Sequence, residues 1–466
     1  MYTLQDLEGK TEGRERIEFL LKLIEAHQTE SAVKTARIAE EYFRQQNTTI
    51  TQFQKTLRNL RGQAVPDIFS ANYRLPSNFF NSFVTQQNQY LLGNGLMLTN
   101  DSRDRRKARK EKEKLGKRFD NALQRLGRDA LVEGVAFGFW NLDHMETFRL
   151  TEFVPLYNEE TGALEAGVRF WQIDTDKPLR FTLYEKDGYT DYIRRKHKEA
   201  EIFHEKRAYI QTVRTSEIAG EEITDGTNYP TFPIIPLWGN PNRQSELVGL
   251  REKIDCYDLI ESGFANDLDD LTSVYWILHN AGGMEDTDLA QFVERLKTVH
   301  AAPVDTDGGA GAEAHTIDIP YEAREAYLTR LEQDMYKDFC IVNVTNISGG
   351  QKTATEISAA YTPMDTKADM YEYCVIEFLL ALFELVGVEG EPVFKRNRIV
   401  NQTEETNMVL AAAQYMDDEA VLRHLPWLTP DEVDGILQRR AEGETERLIS
   451  RIDEIDRQTE TGEVSV

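Results

Sequence analysis

Apolar residues recur at three- and four-residue steps in two stretches near the middle of the chain. Over residues 245–271 these are Leu247, Leu250, Ile254, Tyr257, Phe264, Leu268 and Leu271; over 321–342 they are Leu328, Leu331, Met335, Phe339 and Val342. That spacing puts each set on one helical face and predicts a pair of long struts. Between them the pattern reads as a strand at 274–279, a helix at 288–299, and extended runs at 300–304 and 315–319 joined by the glycine-rich 307–311. A second glycine-rich loop, Asn346-Ile347-Ser348-Gly349-Gly350-Gln351-Lys352-Thr353, follows the second strut. It leads into a helical stretch, 354–387, which Pro363 is expected to kink or interrupt.

The first 60 residues carry helical stripes (Ile17, Leu20, Leu21, Ile24, then Val33, Ala36, Tyr42, Phe43). Pro76-Ser77-Asn78 reads as a stop and an N-cap before a helix to Leu92, and Gly93-Asn94-Gly95 as its end. A helix at 119–134 and an aromatic strand at 135–142 come next. From 148 to 223, runs of β-branched and aromatic residues at period two predict an all-β region, with hairpin turns at Glu160-Thr161-Gly162 and Lys186-Asp187-Gly188. The proline-rich 228–242, with one extended core, reads as a linker into the first strut. Beyond 387 the expectation is a strand at 392–401 and helices at 403–416, 418–425 and 430–455, with a frayed end. The fold class is therefore α+β.

Length and charge narrow the functions. At 466 residues the chain has room for roughly three domains of about 150 residues. Its formal charge of −26 excludes a protein that coats nucleic acid with its whole surface, because phosphate affinity comes from clustered Lys and Arg. The three cysteines (Cys256, Cys340, Cys374) are far apart and read as buried thiols of a reducing compartment. No basic-then-apolar leader opens the chain, and its most apolar run, 374–388, holds two glutamates and falls short of the roughly 20 residues of a membrane span. A soluble protein made in the cytoplasm, with no membrane partner, is expected.

Catalytic signatures are sparse. There is no GxxxxGK[ST] and no HExxH, and the histidines are scattered, so neither a cofactor nor a metal is expected. Asp267, Asp269 and Asp270 invite a divalent-metal reading. With Asp255, Asp258 and Glu261 on the same helix, the plainer reading is a continuous solvated acidic stripe. The loop around Ser348–Lys352 reads either as a connector or as an anion-facing loop whose Lys352 meets a passing phosphate. The run 103–118, RDRRKARKEKEKLGKR, is the strongest basic patch. It suits nucleic acid or an acidic partner, or is simply an exposed helix start. Phe137, Phe139, Trp140, Phe170, Trp171, Phe181 and Tyr184 read as core and not as a base-stacking platform.

Several segments, in order, are similar to those of the portal proteins of long-tailed double-stranded DNA phages. They are Asn88-Gln89-Tyr90-Leu91-Leu92-Gly93-Asn94-Gly95, Glu133-Gly134-Val135-Ala136-Phe137-Gly138 and Phe153-Val154-Pro155-Leu156-Tyr157-Asn158. The helix–insert–helix–loop–helix of 245–387 and Phe394-Lys395-Arg396-Asn397 follow them. Gly93-Asn94 departs from the glycine–aliphatic or proline pair common there.

The resemblance implies a homo-oligomeric ring, twelve subunits in the virion, around an axial channel for double-stranded DNA. It implies a wing at 1–244, stem helices at 245–271 and 321–344, and a small α/β clip at 272–320. A tunnel loop at 345–354, a long wing/crown helix at 355–387 and a crown with C-terminal tail at 388–466 complete it. Asn346, Ser348, Gly349, Gly350, Gln351, Lys352 and Thr353 would face DNA. In the clip, Trp276, His279, Asp288, Phe292, Arg295 and Lys297 would dock the terminase motor and then the head-completion adaptor. Arg105, Arg106, Lys107, Arg109 and Lys110 would meet the shell or nucleic acid. Major capsid and scaffolding proteins are further implied partners, with assembly in the host cytoplasm and residence at the portal vertex of the virion. Two alternatives stand beside this reading: a metal-dependent nucleic-acid-processing enzyme using Asp267–Asp270, and another head–tail connector component.

Overall fold

A computed structural model describes residues 2–58, 62–67, 71–99, 105–216, 220–269, 274–279, 291, 311–316, 321–343, 354–398, 402–425, 428, 432–433 and 435–443. The chain divides into two compact units: residues 1–343 with 363–397, and residues 344–362 with 398–466.

The larger unit opens with helices α1 (Leu4–Glu8), α2 (Arg14–Thr29), α3 (Ser31–Phe43) and α4 (Thr48–Thr51). A two-stranded ladder, β1 (Thr56–Arg58) with β2 (Ala64–Pro66), is followed by α5 (Phe79–Leu92), β3 (Met97–Thr99), α6 (Arg105–Glu113) and α7 (Phe119–Glu133). Asn78 stands at the N-cap of α5, but its side chain accepts no bond there.

The all-β region matches its period-two pattern. Strands β4 (Val135–Asn141) and β5 (His144–Arg149) lead into β6 (Phe153–Tyr157), β7 (Leu164–Trp171), β8 (Leu179–Glu185), β9 (Gly188–Arg194) and β10 (Ala200–Arg207). The last five form an antiparallel meander in the order β10-β9-β8-β7-β6. Then come the hairpin β11 (Ile210–Ser216) and β12 (Gly220–Thr227), and β13 (Ile234–Trp238). The extended core expected within 228–242 is β13, and it is more than a linker: it pairs with β4, giving a three-stranded sheet β13-β4-β5. Pro236 misleads the eye, but β13 is an edge strand, where a missing N–H is tolerated.

Alternation along the meander supplies two cores. Val154, Leu156, Phe181 and Leu183 pack against Leu20, Leu23 and Ile24 of α2. Their neighbours Phe153 and Tyr184 turn to the other face, against Phe137, Phe139, Phe148 and Ile234. Six of the seven aromatics read as core are buried, while Trp171 is half-buried beneath the Arg169 guanidinium.

The first strut is α8 (Arg251–Asp269), shorter than its pattern suggests. Residues 246–250 form turns, and Leu268 is 65% exposed. Strand β14 (Val274–His279) pairs with β15 (Gly311–Thr316), which takes in part of the glycine-rich stretch expected to be a joint. The second strut, α9 (Tyr321–Asp338), ends earlier than 342, and Cys340 turns the chain in the left-handed region at φ 57°. Helix α10 (Ala354–Val386) continues through Pro363 without interruption. Strand β16 (Glu391–Val393) pairs with β3 and is much shorter than the expected 392–401. All three cysteines are free and half-buried, where burial was expected.

The smaller unit contains α11 (Gln402–Ala412), a 3-10 turn Ala413–Tyr415 and α12 (Asp418–His424), whose Asp417 caps it through Ala420 N at 2.7 Å. Residues 435–443 are helical, and Arg440 pairs with Asp418.

Candidate functional site

The two struts run antiparallel and are tied at both ends. Near one end Lys253 pairs with Asp338; near the other Arg324 Nη1 donates to Asp267 at 2.6 Å, beside an edge-on contact of Phe264 with Tyr321 at 6.1 Å. Asp267 is therefore neutralised by a cation from the facing helix. The side chain of Asp269 and the whole of Asp270 lie outside the described residues. Among the described residues, no group of three His, Cys, Asp or Glu side chains is placed to hold a metal ion.

The acidic-stripe reading of α8 is wrong at Asp258. Its side chain is fully buried, accepting Ser77 N at 2.9 Å and Asn47 Nδ2 at 2.5 Å. Ser262 and Asn266 continue the row, taking Leu75 N at 3.0 Å and Tyr73 N at 2.5 Å. The geometry is a register match. Four helical residues rise about 6 Å, and two residues of an extended chain advance about 6.6 Å. Side chains at 258, 262 and 266 thus meet alternate N–H groups at 77, 75 and 73, running oppositely. Burial pushes the Asp258 carboxyl up, and its bonds from Asn47 and Ser77 pull it back. Asp255 accepts the Tyr42 hydroxyl. The i, i+4, i+8 series Asp-Ser-Asn was visible in the sequence. What it faces was not.

At their base the struts root in an aromatic cluster. Phe79 meets Tyr257 at 5.0 Å, Phe83 meets Tyr336 at 4.9 Å and Phe339 at 5.2 Å, and Gln86 Nε2 donates to Val342 O at 3.1 Å. Lys367 of α10 completes the junction. Its Nζ lies 3.3 Å from the centre of the Phe339 ring, donates to Phe339 O at 3.1 Å and pairs with Glu246 Oε2 at 2.7 Å. One ammonium so holds the C-terminal end of α9, where carbonyls lack helical partners, and the approach to α8. Desolvation pulls the lysine's pKa down, and Glu246 partly restores it. Sequence reading missed Lys367. The available signal was a cation at a core position among Met364, Ala368 and Tyr371, which requires a buried partner.

A second buried group lies where α7 meets the approach to α8. Glu133 accepts Thr151 N at 3.0 Å; Ser245 Oγ donates to Val132 O at 2.6 Å. Burial raises the Glu133 carboxyl well above the usual range, and a hydrogen bond with Glu40 adds to this. Glu40 itself pairs with Arg149.

The residues of the glycine-rich loop (Asn346, Ser348, Gly349, Gly350, Gln351, Lys352, Thr353) lie outside the described residues, as do Asp288, Phe292, Arg295 and Lys297. Trp276 and His279 stand on β14 opposite Ala314 and Gly311, with their side chains undescribed. Helix α6 exposes Arg106, Lys107, Arg109 and Lys110 together, and the side chain of Arg105 is undescribed. Several cations of the run have internal partners. Lys107 pairs with Glu389 at 2.8 Å, Lys112 with Asp120 at 2.8 Å, and Lys114 with Glu111 at 2.7 Å and Gly387 O at 2.9 Å. Glu111 accepts Glu389 N at 2.9 Å, so α6 also serves to cap the end of α10. No helix among the described residues is long and apolar enough to cross a membrane.

Comparison with known proteins gives a consistent family. The model described as "Phage portal protein, SPP1 Gp6-like" matches residues 9–456. The portal protein of Clostridium phage phiCD119 is 23% identical over 382 residues, covering 77% of this chain and 82% of the relative. That of Bacillus phage SPP1 is 23% identical over 423 residues, covering 87% of this chain and 78% of the relative. Among solved structures, a chain in the neck of an empty GTA particle computed with C6 symmetry is similar at a TM-score of 0.38 and 11% identity. It covers 74% of this chain and 88% of that one. A chain in the virion of a native gene transfer agent particle gives a TM-score of 0.32 at 11% identity, covering 77% and 89%.

Proposed function

The chain belongs to the SPP1 Gp6-like family of phage portal proteins, and from that premise we propose that it forms the ring at one capsid vertex through which a genome is packaged and ejected. The observation that carries this reading is the family match over 9–456, nearly the whole chain. In this reading 1–244 form the wing against the shell, 245–271 and 321–344 the stem built on α8 and α9, and 272–320 the clip that docks terminase and later the head-completion adaptor. Residues 345–354 are the tunnel loop facing DNA, 355–387 the long helix, and 388–466 the crown. The ring is a homo-oligomer of about a dozen subunits, which requires a heterologous interface that closes. It resides in the virion after assembly with capsid and scaffolding proteins in the host cytoplasm.

The chemistry supports a mechanical part. The struts are cross-tied at both ends and rooted through Lys367, as a load-transmitting pair must be. A charge of −26 suits a channel that must release DNA, since each basic contact adds salt-dependent affinity. Portal proteins are structural components, and we assign this chain no catalytic role. The alternative metal-dependent enzyme is disfavoured because Asp267 is already paired with Arg324.

Native mass spectrometry with negative-stain averages tests the ring: a closed assembly of about a dozen subunits with a central hole is expected. A protein that stays monomeric even with its scaffolding partner would overturn it. Deleting 348–352 should leave the ring intact and impair packaging or retention of DNA. Normal packaging by that deletion would remove the tunnel-loop assignment.

A further inference from the structure

Two loops meet at one end of the five-stranded sheet. Residues 172–178 join β7 to β8, and 195–199 join β9 to β10. Arg194 sits between them, in register with Leu179 on one side and Ala200 on the other. The loops are internally set: Gln172 Nε2 donates to Lys177 O at 2.9 Å, Lys198 N to Arg195 O at 3.0 Å, and His197 holds a left-handed φ of 60°. Together they enclose a pocket of about 360 Å³ lined by Lys177, Arg194, Arg195, Lys196, His197 and Lys198, and by no acidic residue.

Two of these cations are already paired, Arg195 with Glu201 and Lys196 with Asp176 at 2.6 Å. Lys177, Arg194 and Lys198 make no ion pair among the described residues. Of the nearby acids, Glu199 pairs with Arg14 at 2.7 Å, and Asp174 accepts Thr175 N at 2.6 Å within its own loop. Three cations without an ion pair among the described residues thus line one concavity of a chain whose net charge is −26. Like charges held together repel, and an entering anion relieves that repulsion. Arg194 adds a planar donor fork matched to a carboxylate.

We propose that this pocket is an anion site that takes the carboxylates of an acidic protein segment. A DNA duplex fits it poorly. A duplex lays down one negative charge per about 1.7 Å of axis, so most of its phosphates would fall outside a concavity of about 360 Å³. A peptide places one or two carboxylates in the pocket and turns the rest of its length away. The site stands on the sheet's geometry and does not depend on the ring.

The test is fluorescence anisotropy with labelled hexaglutamate, hexaglutamine and a DNA duplex, using the full chain, Lys177→Glu/Lys198→Glu and Arg194→Gln. Both lysines are exposed and in loops, so the double variant keeps its fold and assembly, checked by circular dichroism and mass. Hexaglutamate should bind the parent protein, hexaglutamine should not, and the double variant should lose about tenfold or more in hexaglutamate affinity. Arg194→Gln should weaken it in the same direction, leaving any duplex binding unchanged. Equal hexaglutamate affinity in all three proteins, or none in the parent, would overturn the proposal. Loss of duplex binding with hexaglutamate binding retained would make the pocket a nucleic-acid site and overturn it equally.

Discussion

Lys367→Met removes the ammonium at the junction of the struts and keeps the alkyl stem in place. The side chain of Glu246 is only 11% exposed, so its carboxylate loses its partner without gaining water. Removing one member of a buried pair costs about 3–5 kcal/mol. The bond to Phe339 O is worth about 1.5–3 kcal/mol as a charge-assisted bond, and the ring contact up to about 2 kcal/mol. Both act through the same ammonium, so these figures overlap and do not sum. We expect the variant to lose about 3–5 kcal/mol against urea, at a protein concentration held equal to that of the parent. Glu246→Gln, which leaves no naked charge, should cost less, and the double variant should cost clearly less than the two singles added. A loss below about 1 kcal/mol for Lys367→Met, the range of exposed pairs, or strict additivity in the double variant, would refute a buried, coupled junction.

Four further outcomes are expected. Asp258→Ala strands two buried donors, Ser77 N and the Asn47 amide, and should cost about 2–5 kcal/mol in urea unfolding; a cost near zero would mean that water replaces the carboxylate. Glu133 binds its proton more tightly folded than unfolded, so its contribution is complete below the ordinary glutamate range and is lost as pH rises through the raised folded value, at up to about 1.4 kcal/mol per pH unit. Glu133→Gln, a mimic of the neutral acid, should flatten that slope; an unchanged slope counts against a carboxyl that burial keeps protonated. Gly127→Ala drives a methyl to within 2.1 Å of the buried Tyr371 hydroxyl and should destabilise by about 1–3 kcal/mol despite better helix propensity; unchanged melting would show that Tyr371 can yield. Lys352→Glu should slow DNA translocation in a packaging assay and leave ring assembly intact, and a collapsed ring would make the residue structural.

Periodicity alone determined most of the elements. The two struts, the meander with its turns at Gly162 and Gly188, the helix ending at Glu133 and the long helix to Val386 all follow from local pattern, because burying one face imposes a period of 3.6 or 2. The order of parts also sufficed to name the family. Pattern could not determine which partner a polar residue meets. Asp258 looks solvated in sequence and is fully buried, because the segment that covers it lies some 180 residues earlier. Residues 228–242 read as a linker with one extended core, and that core becomes a sheet strand because β13 pairs with β4 nearly a hundred residues away. The run 103–118 stands out as a basic patch, but the pattern does not show that Lys107, Lys112 and Lys114 are tied to Glu389, Asp120 and Gly387. Lys367 and the cations of the sheet-end pocket acquire their meaning the same way. Hydrophobic period is a local property of the chain, while compensation of a charge or a donor is a property of whatever the fold brings within three ångströms of it.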